Sequence, residues 1–317
     1  ILGSAIIELR IKSQESGKKE ETTIVFSGDL GNPPMPLLRA PDFMTEADYV
    51  IIESTYGDRN HEPASTCQEV IENAIEDTVA KNGVLLIPSF AMERTQQLLY
   101  HLNNLAESHR IPRVPIFIDS PLAIKITQVY KKYPQYYNQE AKDSLQLGDD
   151  IFKFPGLEFT ETSKESKKIN EIAPPKVIIA GSGLSQGGRI VHHESFYLPD
   201  PKTTLLLITY QAQGTLGRWL AEGAKHVEIL DRPVTVRAKV QSLSGYSAHA
   251  DQRFLMDWLR HFKKIGYVGV GEPDRGLKKV FVTQGEEGSC AVLAGLIRDE
   301  FGVLAEIPQI GQVVDLD

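Results

Sequence analysis

Lys176-Val177-Ile178-Ile179-Ala180-Gly181-Ser182-Gly183-Leu184-Ser185-Gln186-Gly187-Gly188-Arg189 reads as a short apolar strand, a glycine-rich loop and the start of a helix. The unbroken apolar run before Gly181 is the signature of a strand covered on both faces. The same alternation continues outward in both directions. Upstream, Val84 to Ile87 reads as a strand before a helix from Glu93 to Ser108, and Pro115 to Asp119 as a strand before a helix from Leu122 to Tyr133. Downstream, a strand from Thr204 to Ile208 leads to a helix from Thr215 to Glu222. Repeated strand–helix units predict an α/β protein with a parallel sheet flanked by helices.

Outside this block the pattern changes. Ser4 to Ile11 and Thr22 to Phe26 predict two strands joined as a hairpin by the polar turn Gln14 to Lys19. Asp48 to Ser54 predicts a buried strand. Ser65-Thr66-Cys67-Gln68 predicts a capping box for a helix that stops near Gly83. Gln139 to Lys168 is polar and weakly periodic, and predicts a long excursion with a short helix near Ser163. After Val240 a loop carrying His249 precedes a helix from Gln252 to Phe262, a strand from Lys279 to Thr283 and a helix from Ala291 to Glu300.

A chain of 317 residues has room for two domains, and 41% apolar residues supports ordinary cores. No run of about 18 apolar residues occurs, so no membrane span is expected. No basic stretch precedes an apolar one near the start, so no signal peptide is visible. The chain opens at Ile1 without a methionine, which suggests a processed or truncated start. Cys67 and Cys290 lack metal-type spacing, which predicts two reduced thiols and a cytoplasmic location. The net charge of −8 speaks against a generic polyanion binder but not against a nuclease with a local phosphate site.

The glycine-rich loop offers backbone N–H groups at a helix start, which suits a phosphate. A dinucleotide fingerprint fails, because Gln186 holds the place of the last glycine and the next strand ends in Ile208-Thr209-Tyr210 without an acid for a ribose. A purely structural glycine loop is the remaining alternative.

Three further stretches belong with this pattern: Phe26-Ser27-Gly28-Asp29-Leu30-Gly31, Ile52-Glu53-Ser54-Thr55-Tyr56-Gly57 and Gly245-Tyr246-Ser247-Ala248-His249-Ala250-Asp251. In order and wording they resemble the metallo-β-lactamase-fold ribonucleases with a β-CASP insertion, the family of ribonuclease J and the cleavage and polyadenylation specificity factor endonuclease. The resemblance implies two portions of a metallo-β-lactamase (αββα) domain, residues 1–57 and 242–317, around a β-CASP domain at 58–241. It implies zinc-dependent hydrolysis of RNA phosphodiesters, single-stranded RNA as partner and two zinc ions as cofactor. A homodimer is compatible with it, and no membrane partner is implied.

The resemblance also assigns roles. Asp29 would bridge the metals, and His249, paired with Glu53, would protonate the leaving oxygen. A neighbouring carboxylate fixes an imidazole's tautomer and raises its pKa, which suits that task. Ser182, Gly183, Gly187, Gly188 and Arg189, with Arg94, Ser120, Gln213 and Gly214 from the other strand–helix loops, would line the RNA groove. His192 and His193 are expected to pack rather than to ligate. Two parts of the implied zinc site are missing. The upstream His-x-His-x-Asp-His cluster occurs nowhere in the chain, and Gln284 occupies a place where a histidine ligand is expected. Asp29 alone cannot hold a zinc pair. The sequence thus predicts an inactive chain from a zinc ribonuclease, or alternatively a degenerate RNA-binding or scaffold member of the family.

Overall fold

The computed structural model describes residues 1–13, 20–243, 245–262 and 276–316. The expected turn Gln14 to Lys19 lies outside them. The chain starts with β1 (Ile7–Ser13), β2 (Glu20–Phe26) and β3 (Tyr49–Glu53). Then come α1 (Ala64–Ala80), β4 (Val84–Pro88), α2 (Arg94–Glu107), β5 (Ile116–Asp119) and α3 (Pro121–Lys132). The middle holds α4 (Gln139–Gln146), β6 (Leu157–Phe159), α5 (Ser163–Lys168), β7 (Lys176–Ala180), α6 (Ile190–Tyr197), β8 (Thr204–Leu207) and α7 (Leu216–Ala221). Next are β9 (His226–Ile229), β10 (Arg232–Thr235), β11 (Lys239–Ser242) and α8 (Gln252–Arg260). The chain closes with β12 (Lys279–Thr283), α9 (Glu287–Phe301) and β13 (Leu304–Glu306).

The fold is α/β. A six-stranded sheet, ordered β11-β8-β4-β7-β5-β6, is parallel at every pairing. Its central strands β4, β7 and β8 are buried along their whole length, as the unbroken apolar runs require. Because the strands are parallel, the loops after β4, β5, β7 and β8 all leave at one edge. A second sheet, ordered β1-β2-β3-β12-β13, joins the two ends of the sequence. Only β1 and β2 pair antiparallel in it. Val25, Val50, Ile52, Val280 and Val282 of this sheet pack with Leu255, Trp258 and Leu259 of α8 and Leu293 and Ile297 of α9. No helix among the described residues is long and apolar enough to cross a membrane.

Several expectations are corrected. Helix α1 starts at Ala64 after Pro63 and has no side-chain cap, so Ser65 lies inside the first turn and forms no capping box. The segment 139–168 is more ordered than its polarity suggests: α4 is capped by Asn138, and β6 pairs with β5 as the sheet edge. A short exposed edge strand buries too little apolar surface to show in the sequence. A capping box does form between Thr162 and Glu165, which opens α5. The hairpin β9–β10 was not expected.

Candidate active site

Parallel pairing of β2, β3 and β12 sets three strand ends side by side. Phe26 is in register with Ile51, and Glu53 with Thr283. The last residue of β3, Glu53, and the loops after β2 and β12, with Asp29 and Gln284, therefore come to one place. Ser27 fixes the first junction: its hydroxyl accepts from the Glu53 N–H at 3.0 Å and donates to the Gly28 carbonyl at 2.8 Å. Gly28 has φ +56°, and a Cβ there would lie 2.7 Å from the Ala5 carbonyl oxygen, so only glycine fits this turn.

The Glu53 carboxylate is fully buried and both its oxygens are used. Oε1 accepts from the Leu30 N–H at 2.6 Å, and Oε2 lies 2.8 Å from His249 Nδ1. This bond sets Nδ1 as the protonated nitrogen facing Glu53 and turns Nε2 the other way. Burial alone would lower the His249 pKa. The hydrogen bond and charge of Glu53, with Asp29 adding, outweigh it and hold the imidazole above its ordinary value. Asp29 Oδ1 lies 3.9 Å from the same Nδ1. The Ser4 hydroxyl anchors the Asp29 backbone through its N–H and carbonyl.

Asp29, Glu53 and His249 form the one cluster of three possible ligands among the described residues, with donor atoms within 4.8 Å of one another. They do not fit a zinc pair. Both Glu53 oxygens are committed, and Gln284 presents its amide Nε2, a donor, to Asp29 Oδ1 at 2.7 Å. The opposite amide orientation would set a carbonyl oxygen against a carboxylate. A zinc ion needs about four lone-pair donors, and each ion of a pair needs its own set.

The residues expected to line a groove are spread over the strand-end loops of the six-stranded sheet. Ser120 accepts from the Ala123 N–H and caps α3. The Ser182 hydroxyl closes its own loop through Gln186. Gly187 and Gly188 take positive φ, and Gly183 lies against the Phe90 ring. Gln186 donates to the Gly214 carbonyl at 3.4 Å, and Gln213 reaches Glu286 Oε2 at the same distance. The two arginines depart from the expectation of groove cations. Arg94 is buried, hydrogen-bonds Gln97 and is pulled down by burial to about 10. Arg189 donates to Asp119 Oδ1 at 2.6 Å and to the carbonyls of Thr160 and Glu161 at 2.9 and 2.8 Å. His193 Nε2 takes the other side of Asp119 at 2.8 Å, while His192 is exposed.

Residues 95–220 match the model of the Beta-Casp domain, and residues 233–308 match that of the Zn-dependent metallo-hydrolase RNA specificity domain. The chain belongs to the β-CASP metallo-β-lactamase ribonuclease family. Its β-CASP relatives include ribonuclease TTHA0252 of Thermus thermophilus, 40% identical over 86% of this chain and 63% of the relative. The RNase J-like protein of Methanocaldococcus jannaschii is 35% identical over 84% of this chain and 59% of that protein. Transcription termination factor FttA of Thermococcus kodakarensis is 28% identical over 97% of this chain and 46% of that protein. The chain thus spans about half to two-thirds of the length of these relatives.

Two features of this β-CASP chain escaped the sequence reading. Asp119 is the hub of a buried cluster that also takes hydroxyl donors from Thr160 and Ser166. His61, eight residues after Glu53, reaches the loop of His249. Its Nε2 lies 3.1 Å from the His249 carbonyl oxygen. Neither had a periodic or spacing signal, because both act through contacts distant in sequence.

Proposed function

We propose that the whole protein of which this chain is part hydrolyses phosphodiester bonds in single-stranded RNA. His249 would give a proton to the leaving oxygen, and Glu53 would hold the imidazole in place. The observation that carries this reading is the 2.8 Å bond between His249 Nδ1 and the buried Glu53 Oε2, beside Asp29. It leaves Nε2 as the proton-bearing edge available to a substrate, and the carboxylate stabilises the imidazolium that gives up the proton. The names of the Thermus and Methanocaldococcus relatives support the reaction class. Zinc is the metal that the family model's description supports, but the residues of this chain account only for the leaving-group side of the reaction. We also propose the domain division 1–57, 58–241 and 242–317. It is supported by the separate strand sets of the two sheets, β11 ending at Ser242. The loops that carry Ser120, Ser182, Gly183, Gly187, Gly188, Gln213 and Gly214 would line the RNA path, in a cytoplasmic protein for which a homodimer is a compatible assembly.

A second reading is favoured by one contact. Gln284 satisfies Asp29 with a neutral amide, as expected of a member that binds RNA without cutting it. End-labelled single-stranded RNA incubated with the protein, with and without added zinc, separates the two. Cleavage that is lost in His249→Ala supports the hydrolase. Salt-sensitive binding with no cleavage supports the scaffold. Neither cleavage nor binding overturns both.

A further inference from the structure

The segment that follows Glu53 folds back over the loop that carries His249. Tyr56 pairs with Asp251 in an isolated parallel bridge, three residues beyond Glu53 and two beyond His249. From there the two chains are laced together. The Gln252 N–H donates to the Arg59 carbonyl at 3.0 Å, the Gln252 amide to the Gly57 carbonyl at 2.8 Å, and the Arg253 N–H to Asn60 Oδ1 at 3.1 Å. His61 ends this strap and contacts the loop twice. Its backbone N–H donates to Asp251 Oδ2 at 3.3 Å, while Asp251 Oδ1 caps α8 through the Phe254 N–H at 2.8 Å. Its ring Nε2 meets the His249 carbonyl oxygen at 3.1 Å. A carbonyl only accepts, so this nitrogen must carry a proton. The ring is held edge-on by Tyr56, with centroids 4.3 Å apart.

The geometry points to His61 as a positioning residue for His249, acting through the His249 carbonyl to keep the imidazole on Glu53. This rests on the reading of His249 as the proton donor. The physical reason is that the Glu53–His249 bond joins side chains 196 positions apart, so the loop of His249 has to be held in place by contacts outside that bond. The peptide that follows His249 sets where its side chain points. With the carbonyl tied to His61, rotation of that peptide would break the bond at the ring. Misplacement of a reacting group by about 1 Å costs up to about 10²-fold in rate.

The test compares His61→Phe with His61→Gln. Phenylalanine keeps the ring against Tyr56 and loses the N–H. Glutamine places an amide Nε2 the same number of bonds from Cβ as the imidazole Nε2, and so restores the donor. The first readout needs no catalysis: the low-field Nδ1–H resonance of His249 in nitrogen-15 histidine-labelled protein, assigned by its loss in His249→Ala. The expected result is a sharp resonance in the parent and in His61→Gln, and a broadened or absent one in His61→Phe. The second readout is RNA cleavage: kcat falls about 10–100-fold in His61→Phe with KM within about twofold, and recovers in His61→Gln. An unchanged resonance in a folded His61→Phe overturns the proposal. If His61→Phe fails to fold, His61→Gln decides: a retained resonance supports the donor role, and a lost one overturns it. A whole protein that never cleaves RNA, with zinc supplied, ends the hydrolase reading and leaves the resonance to judge His61.

Discussion

Gln284 turns its amide onto Asp29 Oδ1 at 2.7 Å across 255 positions of sequence. Gln284 takes φ +63°, the Thr55 hydroxyl donates to its carbonyl at 3.2 Å, and a Cβ on Gly285 would lie 2.5 Å from the Ser54 carbonyl oxygen. The amide is therefore held on the carboxylate by a tight turn, in the place where a histidine ligand was expected.

The first prediction concerns metal. Asp29 has an amide for a neighbour, and the imidazole beside it, His249, is turned to Glu53, so a chain of these 317 residues will not retain two zinc ions after dialysis. Elemental analysis checks this. A reading close to two zinc per chain would show that ligands come from elsewhere.

Removing the imidazole tests the proton donor. In zinc-supplied protein that cleaves RNA, His249→Ala should cost about 10²–10⁴-fold in cleavage rate, the usual scale for a general acid. RNA affinity should change little, because the imidazole works mainly in the transition state. Single-turnover cleavage alongside a filter-binding titration reads both. An unchanged rate would remove His249 from the reaction.

The Asp119 cluster makes a stability prediction. Burial alone would raise this carboxyl, but hydrogen bonds from His193, Ser166, Thr160 and Arg189 hold it down to about 2. A depressed carboxyl stabilises the fold fully above its ordinary 3.8, and that support is lost as pH falls toward 2. The loss is about 2 kcal/mol, and Asp119→Asn should flatten the acid limb of a denaturant-derived stability profile. Asp119→Ala, which takes the carboxylate from the half-buried Arg189 and the buried His193, should cost about 3 kcal/mol at pH 7. An acid limb identical in parent and Asp119→Asn would refute the assignment.

Glu194 predicts the opposite sign. It is buried on α6, hydrogen-bonds the Ser185 hydroxyl, and its Oε2 has no hydrogen-bond partner among the described residues. Burial pushes its pKa up to about 8, with the Ser185 bond opposing. The folded state then keeps a proton that the unfolded chain releases above 4.5, so stability falls as pH rises from 4.5 to 8 and the penalty is constant beyond. Glu194→Gln keeps the shape without the charge. Its stability advantage should be near zero at pH 4, grow with pH and level off above pH 8 at roughly 3–5 kcal/mol. Urea melts at several pH values check this, and a constant difference across the range would count against it.

The sequence carried the α/β class because buried parallel strands write unbroken apolar runs, as Val177 to Ala180 does, and helices between them write the 3.6 period. It also carried Asp29, Glu53 and His249, each at or just after a strand end with its own short wording. It did not carry β6 or the β9–β10 hairpin, whose short strands bury too few side chains to leave a period. The tertiary structure alone decided three things: that Arg189 is spent on Asp119, that Gln284 covers Asp29, and that His61 ties the loop of His249. Each is a hydrogen bond between residues 70 or more positions apart. Residue types and local spacing fix which chain segments become strands and helices. Which donor meets which acceptor follows only once parallel pairing has brought the strand ends together.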